Sequence, residues 1–279
     1  LSRGLGDVYK RQFSNISTSF LKFESLIHCL FVVAVSFSRA APQPAHSSLG
    51  GRPLSGRTNL ASVLSLLLVP LTIFIGIVYF GKKSYGVVSL LVLLECMAPF
   101  ALIFEGRKPK ARELVLIAAL CALAVAGRAA LFMLPGFKPV AALVILSGVA
   151  FGGETGFLVG AMSMLTSNVL FGQGPWTPFQ MFSWGIVGFI AGVAADPLKR
   201  SRIALVIYAV VSGVMYSLLM DVWTVLWADG YFNISRYIAA VISAVQFTVV
   251  YAVSNVVFLL IFEKPIGKVL ERVKKKYLL

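Results

Sequence analysis

Charge is scarce in this sequence, and acidic charge most of all. Only 13% of the 279 residues are charged, and 11 Asp and Glu stand against 25 Lys and Arg. Soluble domains carry about 25% charged and roughly 45–50% apolar residues. At 58% hydrophobic, the chain has too little polar surface for a water-soluble globule, and disorder is excluded. Histidine is nearly missing: His28 and His46 both precede the apolar part of the chain. Three scattered cysteines, Cys29, Cys96 and Cys121, give neither a disulfide framework nor a metal-ligand spacing. The patterns H-E-x-x-H, G-x-S-x-G and G-x-x-x-x-G-K-[ST] are absent, so zinc-peptidase, serine-hydrolase and P-loop ATPase chemistry have no groups to run on.

What the chain does have is long apolar runs, with a mean hydropathy of +0.88. Continuous runs, rather than alternation, point to an all-α integral membrane protein and not to a β-barrel. Spans are expected at 61–80, 85–104, 114–134, 139–151, 156–171, 178–195, 203–227 and 237–262, against the ~20 residues a crossing helix needs. The fourth and fifth are short, and the stretch GGETG at 152–156 joins them. They read as tilted helices meeting at a tight turn, or as a partly re-entrant segment. Residues 1–58 look different: Ser- and Arg-rich, with one short apolar run at 26–35. Residues 1–12 resemble a translated sequencing adapter, and 13–58 read as upstream read-through or a signal-like segment. The expected organisation is therefore a doubtful segment at 1–58, two extra spans and a basic loop at 59–112, a six-helix core at 113–262 and a basic tail at 263–279.

The net charge of +14 sits between the apolar runs, which indicates topology control at the inner leaflet rather than nucleic-acid binding. With the C-terminus inside, thirteen Lys and Arg beyond residue 60 fall on the inner side, and four (Lys82, Lys83, Lys138 and Arg236) on the outer. Both ends of the membrane domain are then cytoplasmic.

Several spans carry more than bulk apolarity. Ala118, Ala122, Ala126 and Ala130 recur every four residues, leaving one helical face without bulk, suited to close helix contact within the bundle or with a partner. Arg128 projects about 200° from Ala126 on the same helix. An arginine inside a span costs roughly 2.5–3.5 kcal/mol on the insertion scale, so it needs a partner, a wet cavity or a snorkelling route; Asp221 is a candidate counter-charge. Gly152, Gly156 and Gly160 continue in register to Met164 and Asn168. Trp176, Gln180 and Trp184 also lie four apart and form an aromatic–amide–aromatic wall near the outer surface, beside the loop residue Gln173. Tyr216, Met220, Trp223 and Trp227 make a second outer wall, and the last span offers Gln246 and Asn255, of which Gln246 lies nearer the outside. The candidate substrate contacts are Arg128, Asn168, Gln173, Trp176, Gln180, Trp184, Met220, Asp221, Trp223 and Gln246.

The stretches GRAA at 127–130, Lys138-Pro139, FGGETGF at 151–157 and GQGPWTPFQ at 172–180 together resemble the substrate-capture S components of energy-coupling factor (ECF) transporters. The resemblance implies a six-helix core, here preceded by two additional transmembrane helices. It implies capture of a vitamin-like micronutrient at the outer face, docking on a T subunit that carries two ATPase subunits, and a T-facing small-residue motif at Ala118, Ala122 and Ala126. ATP is then used by the partners, and no cofactor and no enzymatic activity are expected of this chain. The loop after Arg128 is short, so the lid role is expected of 172–178 and 228–233. A self-sufficient ion-coupled carrier using Glu95 or Asp221 is the alternative. The ring-bearing and cationic candidates suit a flavin, a pterin or a corrinoid, with a lean towards the corrinoid.

Overall fold

The computed structural model describes residues 91, 94, 95, 97, 98, 111–230 and 232–277. The expected spans at 61–80 and 85–104 and the segment 1–58 lie outside the described residues, apart from five helical positions at 91–98 that include Glu95. From 111 onward the chain is helical: α1 (Ala111–Ala130), α2 (Val140–Phe151), α3 (Gly153–Phe171), α4 (Thr177–Val193), α5 (Ala195–Arg200), α6 (Arg202–Asp229) and α7 (Ile234–Tyr277). No strand occurs among the described residues. Helices α1, α6 and α7 are long and apolar enough to cross a membrane; the protein is an all-α membrane protein.

Helix α2 is the centre of the bundle. At 12 residues it is about 18 Å long, well short of the ~30 Å hydrocarbon layer. Its sequence is apolar on every side, and every residue from Val140 to Gly148 is buried. A helix that is apolar all round must be enclosed by protein or lipid; here α3, α4 and α7 enclose it. Gly152 ends it with φ 98, a left-handed backbone that only glycine adopts at little cost. The Gly152 N–H donates to the Gly148 carbonyl at 2.8 Å, and α3 begins at the next residue. The turn in the GGETG stretch is therefore the single residue Gly152, and 153–156 already belong to α3.

Helices α3 and α4 cross backbone to backbone. A Cβ on Gly188 would run into the Gly156 carbonyl, and one on Gly160 into the Trp184 carbonyl. Small residues allow such approach in lipid, where dispersion contacts rather than water exclusion drive helix association. The α6–α7 pair uses polar contacts as well. Ser217 and Thr248 hydroxyls lie 2.6 Å apart, and the Asn255 amide donates to Ser212 Oγ at 3.0 Å. Gly230, at φ 71, closes α6 by donating to the Leu226 carbonyl. Asn233 then accepts from the Ser235 and Arg236 amides at the start of α7.

Helix α7 continues through Pro265 to Tyr277 without a break. The segment expected as a basic tail is thus helical as far as 277. Its Lys274 Nζ donates to the Ala150 carbonyl at 2.7 Å, holding the extension against the end of α2.

Candidate functional site

Arg128, in the last turn of α1, turns inward onto α3. Its Nη1 donates to Ser167 Oγ at 2.5 Å and to Asn168 Oδ1 at 2.9 Å, with Met164 Sδ at 3.8 Å. Its guanidinium lies 5.2 Å from the Phe171 ring centroid, within cation–π range. These partners are all neutral, and among the described residues no acid pairs with Arg128, a costly arrangement inside a protein unless a ligand or water completes it. Asn168 is buried and extends the chain of bonds: its Nδ2 donates to Gln180 Oε1 at 2.7 Å and to Thr177 Oγ1 at 3.0 Å. Thr177 donates in turn to Gln173 Oε1 at 2.9 Å. One connected polar network therefore ties α1, α3, α4 and the 172–178 loop together.

An aromatic cluster faces this network. The Trp184 and Tyr216 rings stack at 4.6 Å, and Tyr251 meets Tyr216 edge-on at 5.2 Å. Between network and cluster lies a cavity of about 170 Å³ lined by Arg128, Gln180, Trp184, Tyr216 and Tyr251, with Met164 and Asn255 at its walls. The loop 131–139 contributes Gly136 and Lys138 to the lining. Ser254 pins that loop to α7, accepting from the Lys138 amide at 2.9 Å and donating to the Lys138 carbonyl at 3.0 Å. Phe137 packs on Phe258, with centroids 5.0 Å apart, and the Lys138 ammonium donates to the Leu131 carbonyl. Burial, and then the nearby Arg128 charge, lower the Lys138 ammonium from its ordinary range. The cavity lining thus holds two cations and no carboxylate, a composition that favours an electron-rich or anionic ligand.

Of the residues expected from the sequence, Arg128, Gln180 and Trp184 line the cavity, and Asn168 stands directly behind, bonded to two of them or their neighbours. Gln173 is exposed and bonds the Leu165 carbonyl at the outer edge of the network. Trp176 is 39% exposed, away from the cavity. Trp223 is buried between Phe179 and Trp227, and Met220 packs against the core. Asp221 is 8% exposed, its Oδ2 has no hydrogen-bond partner, and it does not line the cavity. Gln246 is exposed on the outer face of α7, whereas Asn255 lines the cavity. Tyr251 and Lys138 are additional lining residues that no spacing pattern singles out. The loop that reaches the lining is 131–139; among the described residues neither 172–178 nor 228–233 contributes to it. Ala118, Ala122 and Ala126 are all exposed on the side of α1 away from Arg128's partners.

Comparison with curated proteins and with solved structures gives no match. A family model does match, described as "ECF-type riboflavin transporter, S component", over residues 108–272. The matched stretch begins just before α1 and ends in the α7 extension, so it contains the cavity, the network around Arg128 and the exposed alanine face. Taken with the all-α membrane fold, a match over more than half of the sequence makes this chain a member of the family of S components of ECF-type riboflavin transporters, a substrate-binding transporter subunit.

Proposed function

We propose that the chain captures riboflavin, or a close flavin, in the cavity beneath the 131–139 loop. The observation that carries this is the placement of the stacked Trp184–Tyr216 pair opposite the Arg128–Asn168–Gln180 chain of hydrogen bonds. A flat conjugated ring gains from aromatic faces, and its carbonyl edge gains from cations and amides. The family description supports a flavin rather than the larger corrinoid, and so does a cavity of about 170 Å³. Vitamin-sized ligands fill pockets of roughly 300–1,000 Å³, so the 131–139 loop has to move aside on entry.

Delivery is proposed to run through a T subunit carrying two ATPase subunits, docked on the face of Ala118, Ala122 and Ala126. Helix α1 bears both that face and Arg128, so one rigid helix connects ligand and partner. The loop 131–139 is proposed to face outside, and both ends of the membrane domain to face the cytoplasm; the bias of basic residues supports this orientation. An ion-driven carrier built on Glu95 or Asp221 is not favoured by the family.

Titration of the purified chain with riboflavin, followed by flavin fluorescence, tests the binding step. Saturable quenching with one flavin per chain is expected, because stacking on an indole quenches the flavin. Uptake into vesicles is expected only when T and ATPase subunits are reconstituted together with it. An absence of saturable quenching would remove the ligand reading, and uptake by the chain alone under an ion gradient would remove the coupling reading.

A further inference from the structure

A second cavity, of about 230 Å³, lies at the opposite end of α2. The C-terminal half of α2, the short α5, the start of α6 and the α7 extension frame it. Its floor is apolar: Leu146, Val149, Leu198, Leu205 and Leu270. Its rim carries four lysines, Lys199, Lys264, Lys268 and Lys274, against two acids, Glu263 and Glu271. Glu263 is already engaged, with Arg202 Nε 3.0 Å from its carboxylate. Burial, and then the neighbouring Lys199 charge, lower the Lys274 ammonium from its ordinary range, while Glu271 opposes them.

The gap is built into the sequence. Residues 263, 264, 267, 268, 270, 271 and 274 line the cavity from one face of α7, and the residue at the middle of that face is Gly267. Among the described residues a Cβ there would meet nothing within 4 Å, so the glycine is not needed for close contact between the described helices. It leaves space that none of their atoms fills. The α7 extension is nonetheless held in place from below, through Lys274 and the Ala150 carbonyl, and the cavity does not collapse onto it. Ile203, Ile261 and Val269, on the helices that frame the cavity, are more than half exposed, as lipid-facing side chains are.

Oily floor and basic rim together describe an amphipath with an anionic head. A free anion would be served by the lysines but would gain nothing from five apolar side chains, and a neutral lipid would gain nothing from the lysines. We propose that this cavity binds an anionic phospholipid of the adjacent leaflet, with the phosphate among Lys199, Lys264, Lys268 and Lys274 and the first part of an acyl chain over the leucine floor. The bound lipid holds the α7 extension against α2 and α5. The site is independent of the vitamin cavity, and its test does not depend on the flavin.

The test uses the full chain, purified in neutral detergent and titrated with phosphatidylglycerol or phosphatidylcholine. Retained lipid is counted by native mass spectrometry, and the melting temperature is followed in parallel. One tightly retained phosphatidylglycerol and a rise in melting temperature are expected, with phosphatidylcholine giving neither. The double variant Lys199→Gln/Lys268→Gln is expected to lower the preference for phosphatidylglycerol by roughly tenfold or more, since each lysine near a lipid phosphate contributes appreciably. Gly267→Leu keeps every charge and fills the gap; it is expected to abolish retention while leaving the lipid-free melting temperature unchanged or raised, since leucine is the better helix former. Three results would each overturn the proposal: retention unchanged in Gly267→Leu; an equal loss of preference in the control Arg272→Gln/Lys275→Gln, whose residues lie outside the cavity; or protection by inorganic phosphate equal to that by the lipid.

Discussion

Arg128 and Asn168, one on α1 and one on α3, meet at 2.9 Å, and the same Asn168 amide reaches Gln180 on α4 at 2.7 Å. One buried side chain thus joins the cation, which Ser167 also holds, to the Gln180 amide that lines the cavity. Both N–H groups of the Asn168 amide and one lone pair of its oxygen are taken, so this buried amide is satisfied.

Replacing Asn168 by leucine keeps the bulk and removes that joint. Arg128, Thr177 and Gln180 each lose a partner inside the bundle. A loss of about 1–3 kcal/mol in stability is expected, with weaker flavin binding beyond it. Thermal melts in detergent and flavin titration separate the two effects: normal affinity in a folded Asn168→Leu chain would show that the network does not serve the ligand.

Trp184 offers its indole to the cavity and its backbone to Gly160. Trp184→Ala is expected to lower riboflavin affinity by at least about tenfold, combining lost stacking with lost apolar contact. Trp184→Phe should recover part of it. Gln180→Ala and Arg128→Ala are expected to weaken binding in the same assay; unaltered affinity in all of these variants would place the ligand elsewhere.

Ala122 is exposed in the middle of the small-residue face. Ala122→Leu is expected to leave riboflavin binding unchanged and to reduce ATP-driven uptake strongly in vesicles that contain the T and ATPase subunits, because a γ-branched side chain holds two helices apart. Normal uptake would mean that this face does not dock.

Ser254 bonds both the amide and the carbonyl of Lys138. Ser254→Ala frees the 131–139 loop from α7. Stopped-flow release of bound flavin is expected to be faster, by roughly tenfold if both bonds hold the loop shut in the bound state. An unchanged release rate would make the loop a passive cover.

Gly188 and Gly267 form an internal contrast. Gly188→Ala forces a Cβ into the Gly156 carbonyl and is expected to destabilise the bundle by about 1–3 kcal/mol. Gly267→Ala enters open space and is expected to be neutral or to stabilise α7 by up to about 1 kcal/mol. Melting temperatures in one detergent decide both.

Much of this was legible beforehand. The turn at Gly152 and the opposition of Arg128 to the alanine face follow from glycine chemistry and from the 100° step of the helix. Gln180 and Trp184 stand out because Trp176, four residues earlier, extends their spacing into an aromatic–amide–aromatic row. Tyr251 has no such row around it; what brings it and Asn255 to the cavity are contacts with Tyr216, Ser212 and Ala209 on α6. Gln246 and Asn255 are nine residues apart on α7, which places them about 180° apart; the inward face is the one bearing Thr248 and Asn255, which bond Ser217 and Ser212. Depth along the helix favoured Gln246, but rotation about its axis selected Asn255.

The sequence by itself determined that the chain is a helical membrane protein, that the chain turns at Gly152, and that a cation and an unobstructed alanine ridge share one helix. Tertiary structure decided which rings and amides of α6 and α7 join that cation, and that Ser254 pins the loop 131–139 beside them. The reason is the solvent. In water, hydropathy marks the inward face of a helix; in lipid both faces are apolar, so the rotation of each helix is set by close packing and by a few interhelical hydrogen bonds, which no single stretch of sequence contains.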